Sequence, residues 1–459
     1  MSRFARTFLT LVAVAFAAAT MAPPATDAPA PTKAPPNFLF ILADDQAWNG
    51  TSVPMMAGTA ESGSKVFRTP NIEALSKRGM TFSNGYAAHP KCECSRAAIL
   101  TGRSTTSLNA PTKMSRDWKA PASDALANTL KRANASYRAA HFGKWQWPMS
   151  PASMGYDASD GITQNETGDA RDPNDPKLSF SLTRRACDFM AKQVKEGHPF
   201  FLQMSYYAVH AQPQALEATL KKYEGLGTSN AKGEKGDRAK MAAMTEDLDT
   251  CVGTLIEKLQ SLGIADNTYV IYMSDNGGQT NYLRGGKGNL CEGGVRVPLI
   301  VAGPGVKPGT TCAAPAISWD IMPTVIDFAA PGAVMPKGVE GGSWKDILLH
   351  GGAGDVKRPI DRLVWHQPVE NAHPQSSLRK GDYKLVYSWD TKVSELFDLA
   401  KDIREQHDLA KEMPERAEAL TRELKDHVRA GLGDAAITQL ESGETPKGRP
   451  PGRDRPRKP

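Results

Sequence analysis

Three apolar runs in this chain end in acidic or polar residues, and that pattern constrains the fold more than any other feature. Phe38-Leu39-Phe40-Ile41-Leu42 is unbroken by a polar side chain and leads through Ala43 to Asp44-Asp45. Pro199 to Ser205 repeats the pattern and leads to His210, and Tyr269 to Met273 leads to Ser274-Asp275-Asn276-Gly277-Gly278. Continuous apolar character, without alternation, marks strands covered on both faces by helices. In open α/β sheets the ligand sits beyond the C-terminal ends of the strands, so three such ends imply one site. Thr69 and Pro70 are expected to open a helix closed at Gly79, and Leu248 to Leu262 reads as another with Cys251 on its apolar face. From about Arg362 the pattern changes. Leu363–Gln367, Ser376–Arg379, Tyr383–Ser388 and Val393–Asp398 read as short strands, and Pro414 opens a helix with Ala417, Leu420, Leu424 and Val428 on one face. The expected fold class is α/β, with a large mixed sheet flanked by helices over 37–355 and a smaller C-terminal antiparallel sheet-plus-helix domain over 356–442.

The two ends of the chain differ from this body. Arg3 and Arg6 precede an apolar run from Phe8 to Ala19 that closes on small residues, which reads as an export signal over 1–22. A Pro/Ala-rich linker follows over 23–36, and 443–459 reads as a disordered basic tail. The formal charge is +6, and the tail supplies +4 of it through six Lys or Arg against Glu444 and Asp454. The body is therefore nearly neutral. It has no basic stripe with interleaved aromatics, so nucleic acid is not an expected partner. No stretch beyond the leader is apolar enough to span a bilayer, and the expected location is the periplasm or the exterior.

The polar strand ends carry chemistry. Asp44, Asp45, Asp275 and Asn276 offer oxygen ligands without histidine or thiolate, a set suited to a hard cation such as Ca²⁺. Three carboxylates converging without a cation would repel one another. An isolated acidic pair at a strand end is usually a cap or a solvated turn, but four such residues from distant segments argue for a metal. Arg96, Lys144 and Lys287 are candidates for holding an anion beside it. One short segment, Lys91-Cys92-Glu93-Cys94-Ser95-Arg96, resists both readings. Its two cysteines are too close to bridge and, without partners of matching spacing, make a weak metal signal. Cys187, Cys251, Cys291 and Cys312 are too scattered for any pairing to be read.

Cys92-x-Cys94-Ser95-Arg96 followed by Ala97 to Leu100 and Thr101-Gly102-Arg103 is similar to the signature of the type I sulfatases, Cys-x-Pro-Ser-Arg running to Thr-Gly-Arg. The resemblance continues through Asp44-Asp45, Gly143-Lys144-Trp145, His210, Ser274 to Gly278, Gly286-Lys287-Gly288 with Glu292 to Pro298, and the C-terminal stretch from Gly381 to Leu399. It implies an alkaline phosphatase-like fold and a sulfuric ester hydrolase. It further implies that Cys92 is oxidised by a formylglycine-generating enzyme to formylglycine, whose hydrate attacks sulfur and later expels sulfate by re-forming C=O. Arg96, Lys144, Lys287, a bound Ca²⁺ and a helix beginning near Ser95 would face the anion. His210 would donate to the leaving alcohol or bind the sulfate. A sulfated carbohydrate is the implied substrate class, with Gln146, Arg284 and His366 as candidates to line the leaving-group pocket.

Two positions depart from the family pattern. Cys94 stands where the motif has proline, within the stretch read by the maturing enzyme. Gln146 stands where the family follows Lys-Trp with a histidine that contacts the formylglycine; glutamine cannot take a proton, and loss of a general base typically costs ~10²–10⁴-fold in rate. His141, on a strand-like segment, is expected to face away. Two alternatives stay open: a phosphodiesterase or phosphonate hydrolase with the same nucleophile and, suggested by Cys94 and Gln146, a degenerate member that binds sulfated glycans.

Overall fold

The computed structural model describes residues 34–108, 120–169, 172–226, 238–279, 282–367 and 374–442. The expected export signal, nearly all of the linker and the basic tail lie outside these residues. From Pro35 on, the described chain forms one compact unit.

Fourteen strands are present among the described residues: β1 (Asn37–Ala43), β2 (Met80–Phe82), β3 (Gly85–Tyr86), β4 (Arg138–Gly143), β5 (Ala158–Ser159), β6 (Phe200–Ser205), β7 (Thr268–Ser274), β8 (Leu299–Ala302), β9 (Thr310–Cys312), β10 (Ala316–Ile317), β11 (Leu363–Gln367), β12 (Gln375–Lys380), β13 (Tyr383–Ser388) and β14 (Val393–Asp398). Helices are α1 (Pro70–Arg78), α2 (Cys92–Thr101), α3 (Leu126–Ala133), α4 (Asn165–Gly168), α5 (Ser179–Glu196), α6 (Glu217–Lys221), α7 (Arg238–Ser261), α8 (Glu292–Val295), α9 (Ile321–Ala329), α10 (Lys345–Leu349), α11 (Pro414–Leu432) and α12 (Asp434–Ser442). The large sheet has the order β5-β4-β6-β1-β7-β8-β2-β9. It is mixed: β4, β6, β1 and β7 run parallel, whereas β8 is antiparallel to both β7 and β2. β3 and β10 make a separate parallel pair, and β11 to β14 make an antiparallel meander.

Strand β1 shows why its sequence does not alternate. Phe38, Phe40 and Leu42 face one core, with Leu100, Leu130 and Val325; Leu39, Ile41 and Ala43 face the other, with Leu75, Leu248 and Leu255. Both faces are covered, so each position stabilises by burial, at about 25 cal/mol per Å² of apolar surface. The small sheet packs Leu378, Leu385 and Leu396 against Leu420, Leu424 and Val428 of α11. Its strand β11 turns Leu363 and Trp365 toward Tyr86 and Trp319, and Trp365 Nε1 donates to Ala87 O at 2.8 Å, which docks the sheet beside the segment leading to Cys92.

Two local expectations are corrected. Thr69 does not cap α1, because its hydroxyl accepts from Ser52 N at 2.8 Å instead. Helix α2 begins at Cys92, not near Ser95, with Ser95 N already donating to Lys91 O.

Candidate active site

Four adjacent strands, β4, β6, β1 and β7, release their chains at the same edge of the sheet. Asp44 and Asp45 follow β1, Asp275 and Asn276 follow β7, and Lys144 follows β4. The chain leaving β6 stays beside the one leaving β1: Tyr206 N donates to Leu42 O, Asp44 N to Ala208 O and Val209 N to Asp44 O. That pairing brings His210 to the cluster, with Nε2 3.8 Å from Asp45 Oδ2. Ligand atoms of Asp44, Asp45, Cys92 and Asp275 all lie within 4.8 Å of one another. Asp45 takes a left-handed backbone, φ +60°, which aspartate tolerates better than most residues, and Asp275 Oδ1 accepts its N–H at 3.1 Å.

Each carboxylate has a cationic partner. Lys144 Nζ lies 2.5 Å from Asp44 Oδ2, Lys287 Nζ 2.6 Å from Asp45 Oδ2, and Arg96 Nη2 2.7 Å from Asp275 Oδ2. Burial by itself would raise the Asp45 carboxyl, but the Lys287 ammonium beside it holds it below the usual carboxylate range. Burial lowers the His210 imidazole, against an opposing pull from Asp44. The residues also fit a hard cation on an observation independent of their type. Asn276 Nδ2 donates to Asp45 Oδ1 at 2.9 Å, while its buried Oδ1 has no hydrogen-bond partner. Such an orphan costs about 1–3 kcal/mol unless something completes it. A cation among Asp44, Asp45 and Asp275 would do so.

Cys92 is the first residue of α2, with Sγ 3.3 Å from Asp44 Oδ1 and 3.5 Å from Asp45 Oδ1. Burial, then the carboxylates of Asp275 and Asp44, push its thiol well above the ordinary value. Cys94, two residues around the helix, is packed in the core containing Leu100 and Trp145. The two cysteines thus point to different environments.

The remaining expected site residues differ in what they contact. Arg96, expected to face an anion, has its fork engaged: Nε and Nη2 donate to Asp275 Oδ2 at 3.0 and 2.7 Å, and Nη1 donates to Lys144 O at 2.6 Å. It therefore orients a carboxylate and the lysine loop. Gln146 has a left-handed backbone, donates through Nε2 to Asn165 Oδ1 at 3.2 Å, and keeps a buried Oε1 without a partner. Arg284 pairs with both oxygens of Glu395 at 2.9 and 3.1 Å. His366 is buried, with Nδ1 2.8 Å from Ser376 Oγ, because β11 is covered on both faces. His141 does face away as expected: Nε2 is 3.0 Å from Ser205 Oγ and the ring packs edge-on against Trp145. Reasoning from sequence missed His89, whose Nδ1 accepts from Lys91 N at 3.1 Å and so shapes the turn into Cys92. It named Ser274 in the strand-end motif without a role; its Oγ accepts from Gln46 N and donates to Asn276 O. A serine just before Asp275 was the one available signal.

Comparison with known proteins bears on this geometry. The family profile described as Sulfatase matches residues 36–331, and one described as N-sulphoglucosamine sulphohydrolase, C-terminal, matches 286–431. A sulfatase of Formosa agariphila is 27% identical, covering 83% of this chain and 85% of its own. The N-acetylgalactosamine-6-sulfatase of Homo sapiens is 28% identical, covering 71% of this chain and 68% of its own. Among solved structures, Ps i-CgsB in complex with k-i-k-neocarrahexaose is similar with a TM-score of 0.72 at 25% identity, covering 89% of this chain and 98% of that one.

Proposed function

This chain belongs to the sulfatase family and hydrolyses sulfate esters, and from that premise we propose that it is an exported carbohydrate sulfatase with a nucleophile made from Cys92 and a bound Ca²⁺. The carrying observation is the position of Cys92, at the N-terminus of α2 and within 4.8 Å of three carboxylates that each have a cationic partner. When present, formylglycine hydrate supplies a nucleophilic oxygen with a second hydroxyl, and Ca²⁺ supplies positive charge beside the sulfuryl oxygens. Oxygen at this position also suits a hard cation better than the thiol sulfur does.

Asp44, Asp45, Asp275 and Asn276 Oδ1 are the residues we assign to the cation. Lys144 and Lys287 are assigned to the sulfuryl group, where ammonium groups fixed in advance stabilise developing charge. Arg96 is assigned to holding Asp275 and the Lys144 carbonyl in place, on the strength of its three hydrogen bonds. His210 is assigned the proton that goes to the departing alcohol oxygen. Gln146 accepts or donates a hydrogen bond but moves no proton, and His141 does not substitute for it because its ring lies in the core.

The carbohydrate substrate is supported by the names of the relatives and by the oligosaccharide in the similar solved structure. Export is supported by the pattern of the first 22 residues. The test is a panel of sulfated mono- and oligosaccharides, an aryl sulfate and a phosphate diester, with protein produced beside a formylglycine-generating enzyme. The expected result is sulfate release from sugars that chelation abolishes and Ca²⁺ restores, with Asp275→Asn lowering kcat/KM by ~10²-fold or more. Faster cleavage of the phosphate diester, or no preference over the aryl sulfate, would overturn the proposal.

A further inference from the structure

The loop that carries Lys287 is tied on two sides. Toward the carboxylate cluster, Lys287 Nζ donates to Asp45 Oδ2 at 2.6 Å, and Gly288 N donates to Pro90 O at 2.9 Å, two residues before Cys92. On the other side the ties come from the C-terminal sheet and the turn after it. Arg284 pairs with Glu395 on β14 and lies over the Phe397 ring, 5.3 Å from its centroid. Arg404 Nε donates to Tyr282 O at 3.0 Å. Lys384 Nζ on β13 donates to Glu292 Oε1 at 2.8 Å, and Glu405 Oε2 accepts from Glu292 N at 2.7 Å.

The loop's own ties, Asn289 N to Gly286 O at 2.9 Å and Gly293 N to Arg284 O at 2.8 Å, close its two turns but leave its glycines to be held from outside. Gly285 and Gly288 adopt φ +76° and +84°, and Gly286 adds a third position without a side chain to pack. Glycine loses more conformational freedom on ordering than any other residue, so such a loop keeps one shape only if its surroundings impose it. We propose that the C-terminal unit is a clamp for the Lys287 loop, and that Glu395, with Arg284 as its partner, is a positioning residue fixing the Lys287 ammonium beside Asp45. The catalytic consequence rests on the sulfatase reading; the structural half does not.

The Arg284–Glu395 pair suits a test because its side chains are 37% and 32% exposed, so substitution leaves the core untouched. Glu395→Gln, Arg284→Gln and the exchanged pair Arg284→Glu/Glu395→Arg would be made in the full chain. Hydrogen exchange of residues 282–291 is readable whatever the state of Cys92. It is expected to quicken in each single variant and to recover in the exchanged pair, with β1 unchanged. In turnover of a sulfate ester, each single variant should lose on the order of tenfold in kcat/KM, since small displacements of a binding group have large kinetic cost. Inorganic sulfate should inhibit more weakly in parallel, and Glu395→Gln should cause no further loss once Lys287→Ala is present. Unchanged loop exchange in Glu395→Gln, or losses that add to those of Lys287→Ala, would overturn the clamp. If Arg284→Gln alone impaired turnover, Arg284 would instead be a substrate contact. Loop exchange that responds in a protein without sulfate turnover would support the clamp and remove the catalytic reading.

Discussion

A Cβ placed on Gly278 would lie 2.1 Å from the carbonyl oxygen of Asp45, and one on Gly277 would lie 2.1 Å from that of Gly293. Both obstacles are backbone, so a side chain at either position must displace the acidic loop or its neighbour. Gly278→Ala is therefore expected to shift Asp45, to weaken Ca²⁺ binding by calorimetry, and to destabilise the fold by about 1–3 kcal/mol in urea unfolding. Wild-type Ca²⁺ affinity in that variant would contradict the geometry. At this scale the sequence revealed donor chemistry better than donor direction. The convergence of Asp44, Asp45 and Asp275 was legible because oxygen donors stood at the ends of apolar runs. The partners of Arg96 and Arg284 were not legible. A guanidinium near two anions pairs with whichever the backbone presents, here Asp275 and Glu395, and neither partner is near in sequence.

Helix α8 sits at the junction between the site loop and the small sheet, and its charges are buried. Glu292 accepts from Arg296 Nε at 2.5 Å, Tyr86 Oη at 2.8 Å and Lys384 Nζ at 2.8 Å, while Lys384 also pairs with Glu405 at 3.0 Å. Burial would raise Glu292, but Lys384 and Arg296 hold it below the usual range. Removing one partner from such a group strands the others, typically costing about 3–5 kcal/mol. Lys384→Met should therefore lower the thermal midpoint by many degrees, far more than Arg429→Met on the exposed face of α11; equal effects would contradict a buried network. The sequence made elements legible in proportion to their local signals. β13 and β14 match the reading residue for residue because turn residues bracket them. Gly102, at φ +65°, marks the end of α2, but Lys91 gives no side-chain cap and so no sign of its start. β2, β8 and β9 are three or four residues long, too short for a period, and their pairing is set by contacts distant in the chain.

Among the described residues of the molecule, His89, His141 and His366 are enclosed as neutral groups. Burial holds His89 and His141 down to about 3 and His366 to about 4, against 6.5 for the free side chain. Below pH 6.5 the unfolded chain takes up protons that the folded chain refuses. The stability these groups contribute is thus complete above about pH 6.5 and is lost as the pH falls toward 4, at about 1.4 kcal/mol per pH unit for each histidine. Asp249, lifted by burial to about 6, works in the opposite direction together with Asp247 and Glu405, which burial also raises, while His427 and Glu292, both lowered, act with the histidines. The urea midpoint should fall steadily between pH 6.5 and about 4.5; a flat or rising midpoint would contradict this assignment. The overall architecture was legible because it follows from burial on both faces of long strands. Docking of the small sheet against β3 and α8 was not, since it depends on pairs such as Trp365 with Ala87 and Lys384 with Glu292.

The central claim is that Cys92 becomes the nucleophile, and the mass of its tryptic peptide tests it most directly. Cleavage after Lys91 and Arg96 releases Cys92 to Arg96 from protein produced beside a formylglycine-generating enzyme. Conversion of the CH₂SH side chain to an aldehyde removes sulfur and two hydrogens and adds one oxygen. That change at Cys92, with Cys94 still an alkylatable thiol, is the predicted result; an intact thiol at Cys92 would contradict the account.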